Sequence, residues 1–306
     1  MLWLIPTLLA LVLAACGGGD DDGGGAGEGG TAVGWLDPDG EPPVVGSLAV
    51  NPADDTLWMA TNTGLFRVPD GAREPERITG RLRASDGSQG EISEGLVVRF
   101  TGPDELLASG HPPADTVELP DVLGLIRSTD GGKTWTSVSE LGTSDFHAIE
   151  QVGDVVVGSQ FGQSQILVSK DAGRNWESRT SPSVLVDIEV KPDDASQWIA
   201  TSAEGIFQSR DEGQTWRRVD VKPNSYLSWP APDLLYRIDP GGEIQVSEDA
   251  GRSWKARGST GGEPQALVAD GRDRLFAILL DGALKRSDDG GQTWTTVLQP
   301  PGGAAT

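Results

Sequence analysis

Five stretches of this chain decide its fold: Ser128-Thr-Asp-Gly-Gly-Lys-Thr-Trp135, Ser169-Lys-Asp-Ala-Gly-Arg-Asn-Trp176, Ser209-Arg-Asp-Glu-Gly-Gln-Thr-Trp216, Ser247-Glu-Asp-Ala-Gly-Arg-Ser-Trp254 and Ser287-Asp-Asp-Gly-Gly-Gln-Thr-Trp294. They align without gaps on Ser-x-Asp-x-Gly-x-(Thr/Ser/Asn)-Trp, and their first serines lie 41, 40, 38 and 40 residues apart. A fixed period of that size marks a chain built from repeated supersecondary units. Within each unit the residue types describe a turn. The aspartate (Asp130, Asp171, Asp211, Asp249, Asp289) can accept N–H bonds of its own loop. The glycine supplies a position with φ > 0, and the tryptophan (Trp135, Trp176, Trp216, Trp254, Trp294) opens the next strand with a large apolar side chain.

Outside the turns the chain reads as short strands. In the fourth unit Val186-Asp-Ile-Glu-Val190 alternates, Gln197-Trp-Ile-Ala-Thr201 follows a Pro-Asp-Asp turn, Gly205-Ile-Phe-Gln-Ser209 enters the box, and the stretch from Thr215 to Val219 leaves it. The sixth unit repeats this order. A first unit lacking the box is recognisable from Gly46-Ser-Leu-Ala-Val50, Thr56-Leu-Trp-Met-Ala60 and Gly64-Leu-Phe-Arg-Val68, with Pro69-Asp-Gly71 in place of the turn. Six units over residues 44–299 predict an all-β, six-bladed β-propeller. Seven blades would need residues 31–43 to contribute, and these suffice for one added strand only.

Composition excludes several classes. Of 306 residues, 42 are glycine without a three-residue period, which is not collagen, and 10 are tryptophan, too many for a disordered chain. The net charge of −22 and scattered lysines argue against a nucleic-acid partner, which needs clustered positive charge. Cys16 is the single cysteine, so no intramolecular disulfide is available.

Residues 2–15 are apolar and uncharged, too short to span a bilayer as a helix, and read as the core of an export signal. They end in Leu13-Ala14-Ala15-Cys16, which resembles the bacterial lipobox; the resemblance implies that Cys16 is lipidated and anchors the chain to the outer face of the cell membrane. The following glycine-rich stretch, with Asp20, Asp21, Asp22 and Glu28, cannot bury a core and reads as a tether. The expected organisation is a signal peptide over 1–15, a linker over 16–43, the propeller over 44–299 and a disordered tail over 300–306, in a protein expected to be monomeric.

The repeated motif resembles the Asp-box, or BNR repeat, of sialidases, sortilin-type receptors, xyloglucan-active hydrolases and a photosystem II assembly factor. In those families the box is structural and lies between the third and fourth strands of a blade. The resemblance also implies a face for ligands, formed by the loops joining second to third strands together with the blade-to-blade links. Leu107-Ala-Ser-Gly-His-Pro112, the run from Leu123 to Gly132 and Asp145-Phe-His-Ala148 are moreover similar to a group of bacterial secreted lipoproteins labelled glycosylhydrolase or exo-sialidase.

That face would carry the long insertion at residues 109–121 and both histidines, His111 in the insertion and His147 in the link entering the third unit. Adjacent blades would bring these near Asp145, Asp115 and Asp121, giving a polar site able to bind a divalent metal or a polar ligand, or to move a proton near neutral pH. The alternative is that each histidine caps loop backbone. Glu91, Glu94 and Glu204 would extend an acidic rim in which a pair of carboxylates could serve glycoside hydrolysis. The sialidase mechanism lacks support: the only tyrosines are Tyr226 and Tyr236, and Tyr236-Arg237-Ile238-Asp239 lacks the proline of the family's motif. No cofactor is implied beyond the metal. The sequence therefore points to a binding or assembly module at the cell envelope, with an envelope protein or glycan as ligand and a glycoside hydrolase as the rival. Arg73, Arg77, Arg81 and Arg83, with Glu74 and Glu76 interleaved, read as a solvated strand and link.

Overall fold

The computed structural model describes residues 35–36, 41–114, 116, 118–160 and 162–299. Cys16, the export and tether segments up to residue 34, Asp115 and the tail lie outside the described residues. The described chain is a six-bladed β-propeller, all strand and turn. The innermost strands, in blade order, are Val45–Val50, Leu96–Gly102, Phe146–Val152, Leu185–Lys191, Tyr226–Ala231 and Pro264–Asp270. Each begins its sheet, and the remaining strands follow outward in sequence order in every blade but the second.

Burial falls from the second strand outward. Leu57–Thr61 and Leu234–Ile238 are buried at every position, because neighbouring blades cover both of their faces. The outermost Arg217–Asp220 and Lys255–Ser259 face water and are polar. Alternation sends successive side chains to opposite neighbours: Val156 packs between blades 2 and 3, Val157 between blades 3 and 4. Six apolar clusters result, one at each blade interface.

Two departures from the expected layout matter. First, blade 2 has six strands. Gly80–Arg83 lies parallel to Thr134–Ser139 at the outer edge, and Gln89–Ile92 pairs beyond it. Residues 80–92, read as a solvated link, are thus a hairpin whose Leu82 is fully buried beside Trp135. Second, Trp35, inside the stretch assigned to the tether, is buried in the cluster of blades 1 and 6, and its carbonyl accepts the Thr63 hydroxyl at 3.0 Å. Packing on the propeller therefore already involves Trp35, ahead of the boundary expected at residue 43. Neither departure adds a seventh blade among the described residues.

The boxes are built as the motif suggests. Each serine hydroxyl donates to the Oδ1 of its aspartate, as in Ser169 to Asp171 at 2.8 Å, and accepts the N–H of the box glycine. The Asp171 Oδ1 also accepts the N–H groups of Arg174 and Asn175, while Oδ2 accepts the Asn175 side-chain N–H at 2.6 Å. That last contact explains why Thr, Ser or Asn stands before the tryptophan. The box glycine is needed twice over at Gly213: φ is +74°, and a Cβ there would fall 2.2 Å from the Trp198 ring. The preceding position is also left-handed, and holds non-glycine residues at Ala172, Glu212 and Ala250 with φ of 57–58°.

Candidate functional site

The two faces of the ring differ in kind. One holds the boxes and the turns joining first to second strands, tied together by bonds such as Gly131 N–H to Asp104 O and Ala172 N–H to Asp154 O. The other holds the second-to-third turns and the blade links. All five exposed large apolar side chains among the described residues lie on this second face: Val44, Val184, Val186, Val221 and Leu280.

On the same face Asp145, in the link entering blade 3, joins both histidines through one oxygen. Its Oδ2 lies 3.2 Å from His111 Nε2 and 2.8 Å from His147 Nε2. His111 Nδ1 lies 2.7 Å from the Asp121 carbonyl oxygen. Both partners of the His111 ring offer lone pairs, an arrangement that favours the doubly protonated ring. The Asp145 hydrogen bond is the main influence raising the His111 pKa, outweighing partial burial. Burial pushes the Asp145 carboxyl up, but bonds to the two imidazoles overcome it and hold the group well below the usual carboxylate range. The other Asp145 oxygen, Oδ1, is buried and unbonded.

Of the expected members, His111, His147 and Asp145 therefore meet, while Asp121 contributes its carbonyl rather than its carboxylate. Asp115 lies outside the described residues. Glu204 sits on blade 4, accepts the Ser183 hydroxyl at 3.1 Å and takes no part in the imidazole group. No cluster of three or more potential ligands able to hold a metal ion is found among the described residues.

Glu94 lines a different feature. The outer hairpin of blade 2 and residues Pro113, Ala114, Thr116 and Glu118 of the insertion line an open polar groove of about 820 Å³, with Arg81, Glu91 and Glu94 among its other lining residues. Glu91 is on the hairpin strand Gln89–Ile92, opposite Arg81, rather than on a loop around the axis. The two segments that break the repeat pattern thus face each other: a Cβ on Gly90 would meet Thr116 at 2.5 Å. His111, tied to Asp121 and Asp145, fixes one end of the insertion to blade 3.

Tyr236 and Arg237, in the phrase that lacks the proline of the sialidase motif, are structural. The Tyr236 hydroxyl donates to Arg272 O, and Arg237 is 97% buried, bonded to Asp220 at 2.7 Å and stacked over Trp254 at 4.3 Å.

Sequence reasoning missed a polar cluster on the propeller axis: Arg99, Glu150, Asp187 and Glu189, from the innermost strands of blades 2, 3 and 4. The alternation of Val186-Asp-Ile-Glu-Val190 held the signal, since it sends two acids to the same face of one innermost strand.

Comparison with known proteins agrees with the architecture. The BNR/Asp-box repeat profile matches residues 126–137. A xyloglucanase from Paenibacillus sp. is 31% identical over 152 residues, which is 45% of this chain and 14% of that enzyme. The structure of the GH74 xyloglucanase from Xanthomonas campestris superposes with a TM-score of 0.54 at 20% identity, covering 83% of this chain and 38% of the other. An ancestral GH74 enzyme gives 0.52 at 16% identity, covering 82% and 37%. The chain spans well under half the length of each of these proteins. At such identities the structural likeness shows a shared propeller fold.

Proposed function

We propose that this chain, a β-propeller of the BNR/Asp-box type, is a binding module that engages an envelope protein through the face formed by its blade links and second-to-third turns. The observation that carries this reading is the segregation of all five exposed large apolar side chains, among the described residues, to that face. The opposite face spends its polar groups on its own turns. In this reading the chain is exported and tethered through Cys16, so the propeller acts outside the cytoplasm.

The His111–Asp145–His147 group serves the face by holding the insertion in place, and Asp145 is unsuited to act as a general acid. Such an acid must keep a proton near the working pH, whereas two imidazoles hold Asp145 ionised.

Site-directed photo-crosslinking in the producing cells tests the proposal. A crosslinker replacing Val184 or Val221 should give a discrete adduct that one replacing Lys133 on the box face does not. Equal labelling from both faces would refute it. Labelled palmitate should be incorporated and lost with Cys16→Ser; absence of label in the parent protein would remove the anchor.

The xyloglucanase relative motivates a second reading, a glycoside hydrolase acting through carboxylates of the groove. Incubation of the purified protein with xyloglucan separates the two. Release of reducing ends, abolished by Glu94→Gln, would establish the hydrolase.

A further inference from the structure

The axial cluster contains more negative charge than its surroundings neutralise. Arg99 Nη1 lies 2.7 Å from Glu150 Oε1, and the Arg99 side chain keeps 35% of its surface exposed, against 6% for Glu150. Asp187 accepts the N–H groups of Ile188 and, from blade 5, Leu227, each at 2.8 Å. The backbone N–H of Trp229, also from blade 5, favours the ionised form of Glu189. Three carboxylates thus face one guanidinium.

Two oxygens are left over. Glu150 Oε2 and Glu189 Oε2 are buried without a partner, in residues only 5% exposed. The two side chains nevertheless lie within hydrogen-bonding reach of each other. Ionised carboxylates only accept, so two of them cannot bond unless one carries a proton or a cation lies between them. No group of ligands suited to a metal ion occurs there or elsewhere among the described residues.

We propose that Glu150 and Glu189 share one proton, and that the protonated pair, with Arg99 beside it and Asp187 held by the backbone of blades 4 and 5, is a lock joining the innermost strands of blades 2 to 5. The shared proton, Arg99 and the two N–H groups on Asp187 balance the three carboxylates. Loss of the proton leaves like charges facing each other across the seam between blades 3 and 4.

The remaining electrostatics agree. Burial pushes Glu150 well above the usual carboxylate range despite Arg99, and it raises Glu189 as well. Burial and then the Glu189 charge take Asp187 up to about 7. On blade 5 Tyr226 faces Asp187 and is pushed up to about 12 by burial, with Asp187 and Glu263 adding to it. The groups involved are therefore Arg99, Glu150, Asp187, Glu189, Tyr226 and, at the entry to blade 6, Glu263.

The sign follows from linkage. An unfolded chain releases this proton near pH 4, whereas the native pair retains it at higher pH. Stability from this source falls as pH rises from about 4 through about 7, by up to roughly tenfold in the folding constant per pH unit for each retained proton. The lock is independent of which partner the binding face takes.

Infrared spectra and melting curves of the whole protein test the lock. The wild type at about pH 6 should show the carbonyl stretch of a protonated carboxylic acid, disappearing as the pH is raised. Melting temperature should fall between about pH 5 and pH 8, and Asp187→Asn and Glu189→Gln should flatten that fall. Absence of the acid band from the wild type would overturn the proposal, even if the variants fail to fold. So would saturable stabilisation by Ca²⁺ or Mn²⁺ at about pH 8 that Glu189→Gln abolishes, since a cation and not a proton would then join the pair.

Discussion

Asp171 and Asp187 are the same residue type, each accepting backbone N–H bonds at 2.8–3.0 Å, yet they titrate in opposite directions. The Asn175 side chain and N–H, followed by the Ser169 hydroxyl, hold Asp171 down to about 2. Burial, with Glu189 beside it, takes Asp187 up to about 7. What separates them is the setting of each carboxylate: one sits in a turn at the rim ringed by hydrogen-bond donors, the other over the axis among acids. The rim therefore favours ionised aspartate and the axis favours protonated acid, and the protein needs both at once.

The most severe way to break this contrast is to remove the one cation of the axis. Arg99→Met should cost about 2–4 kcal/mol near pH 8, where it leaves unpaired buried carboxylates, and less near pH 5, where protons replace the lost charge. Denaturant unfolding at the two pH values measures the difference. An equal loss at both would mean that Arg99 acts through packing alone.

A smaller effect is expected at the rim. Asp249→Ala removes the acceptor of the N–H groups of Arg252 and Ser253 and of the Ser247 and Ser253 hydroxyls, costing about 1–2 kcal/mol at neutral pH because water replaces most of these bonds. Burial pushes the Asp249 carboxyl up, but bonds from Ser253 and Ser247 overcome it and take the group down to about 2. The stability it provides is present above about pH 4 and is lost as the pH falls toward 2. Acid titration of the variant should show a shallower loss over that interval while leaving the decline above pH 5 unchanged, which would sharpen the separation of rim from axis.

The smallest change adjusts backbone strain without touching any charge. Ala250 has φ of 58°, where a Cβ is unfavourable and its neighbour Gly251 is already left-handed. Ala250→Gly should raise stability by about 0.5 kcal/mol, visible as a small increase in Tm. A decrease would show that the methyl's contact with the apolar cluster of blades 4 and 5 outweighs the strain.

The rim was legible in the sequence because a box closes on itself: donor, acceptor and left-handed glycine all fall within eight consecutive residues. Blade count followed from that, and even blade 1 could be placed from its strands. The axis was not legible as a site. Val186-Asp-Ile-Glu-Val190 gives away a strand, but Arg99 and Glu150 come from other blades, and only the closed ring reveals that they face it. The outer hairpin of blade 2 escaped for a related reason. Its parallel partner, Thr134–Ser139, follows some fifty residues later and is separated from it by the blade's three inner strands. His111, His147 and Asp145 were foreseeable because links and insertions of adjacent blades share a face. Asp121 supplies a carbonyl, an assignment that residue type does not disclose.

Ring closure has a mechanical consequence. Every sheet is made from its own run of consecutive strands, so the last blade meets the first without exchanging a strand. That seam is held by side chains: Trp35, Met59 and Phe66 packed against Phe276 and Ile278, the Gln265 amide bonded to the backbone of Pro43 and Val45, and Arg286 bonded to Asp70 at 2.7 Å. A pulling force applied to blades 1 and 6 would act on this clasp before it reached any sheet ladder, and the ring would part there as a belt opens at its buckle, with all six blades still folded.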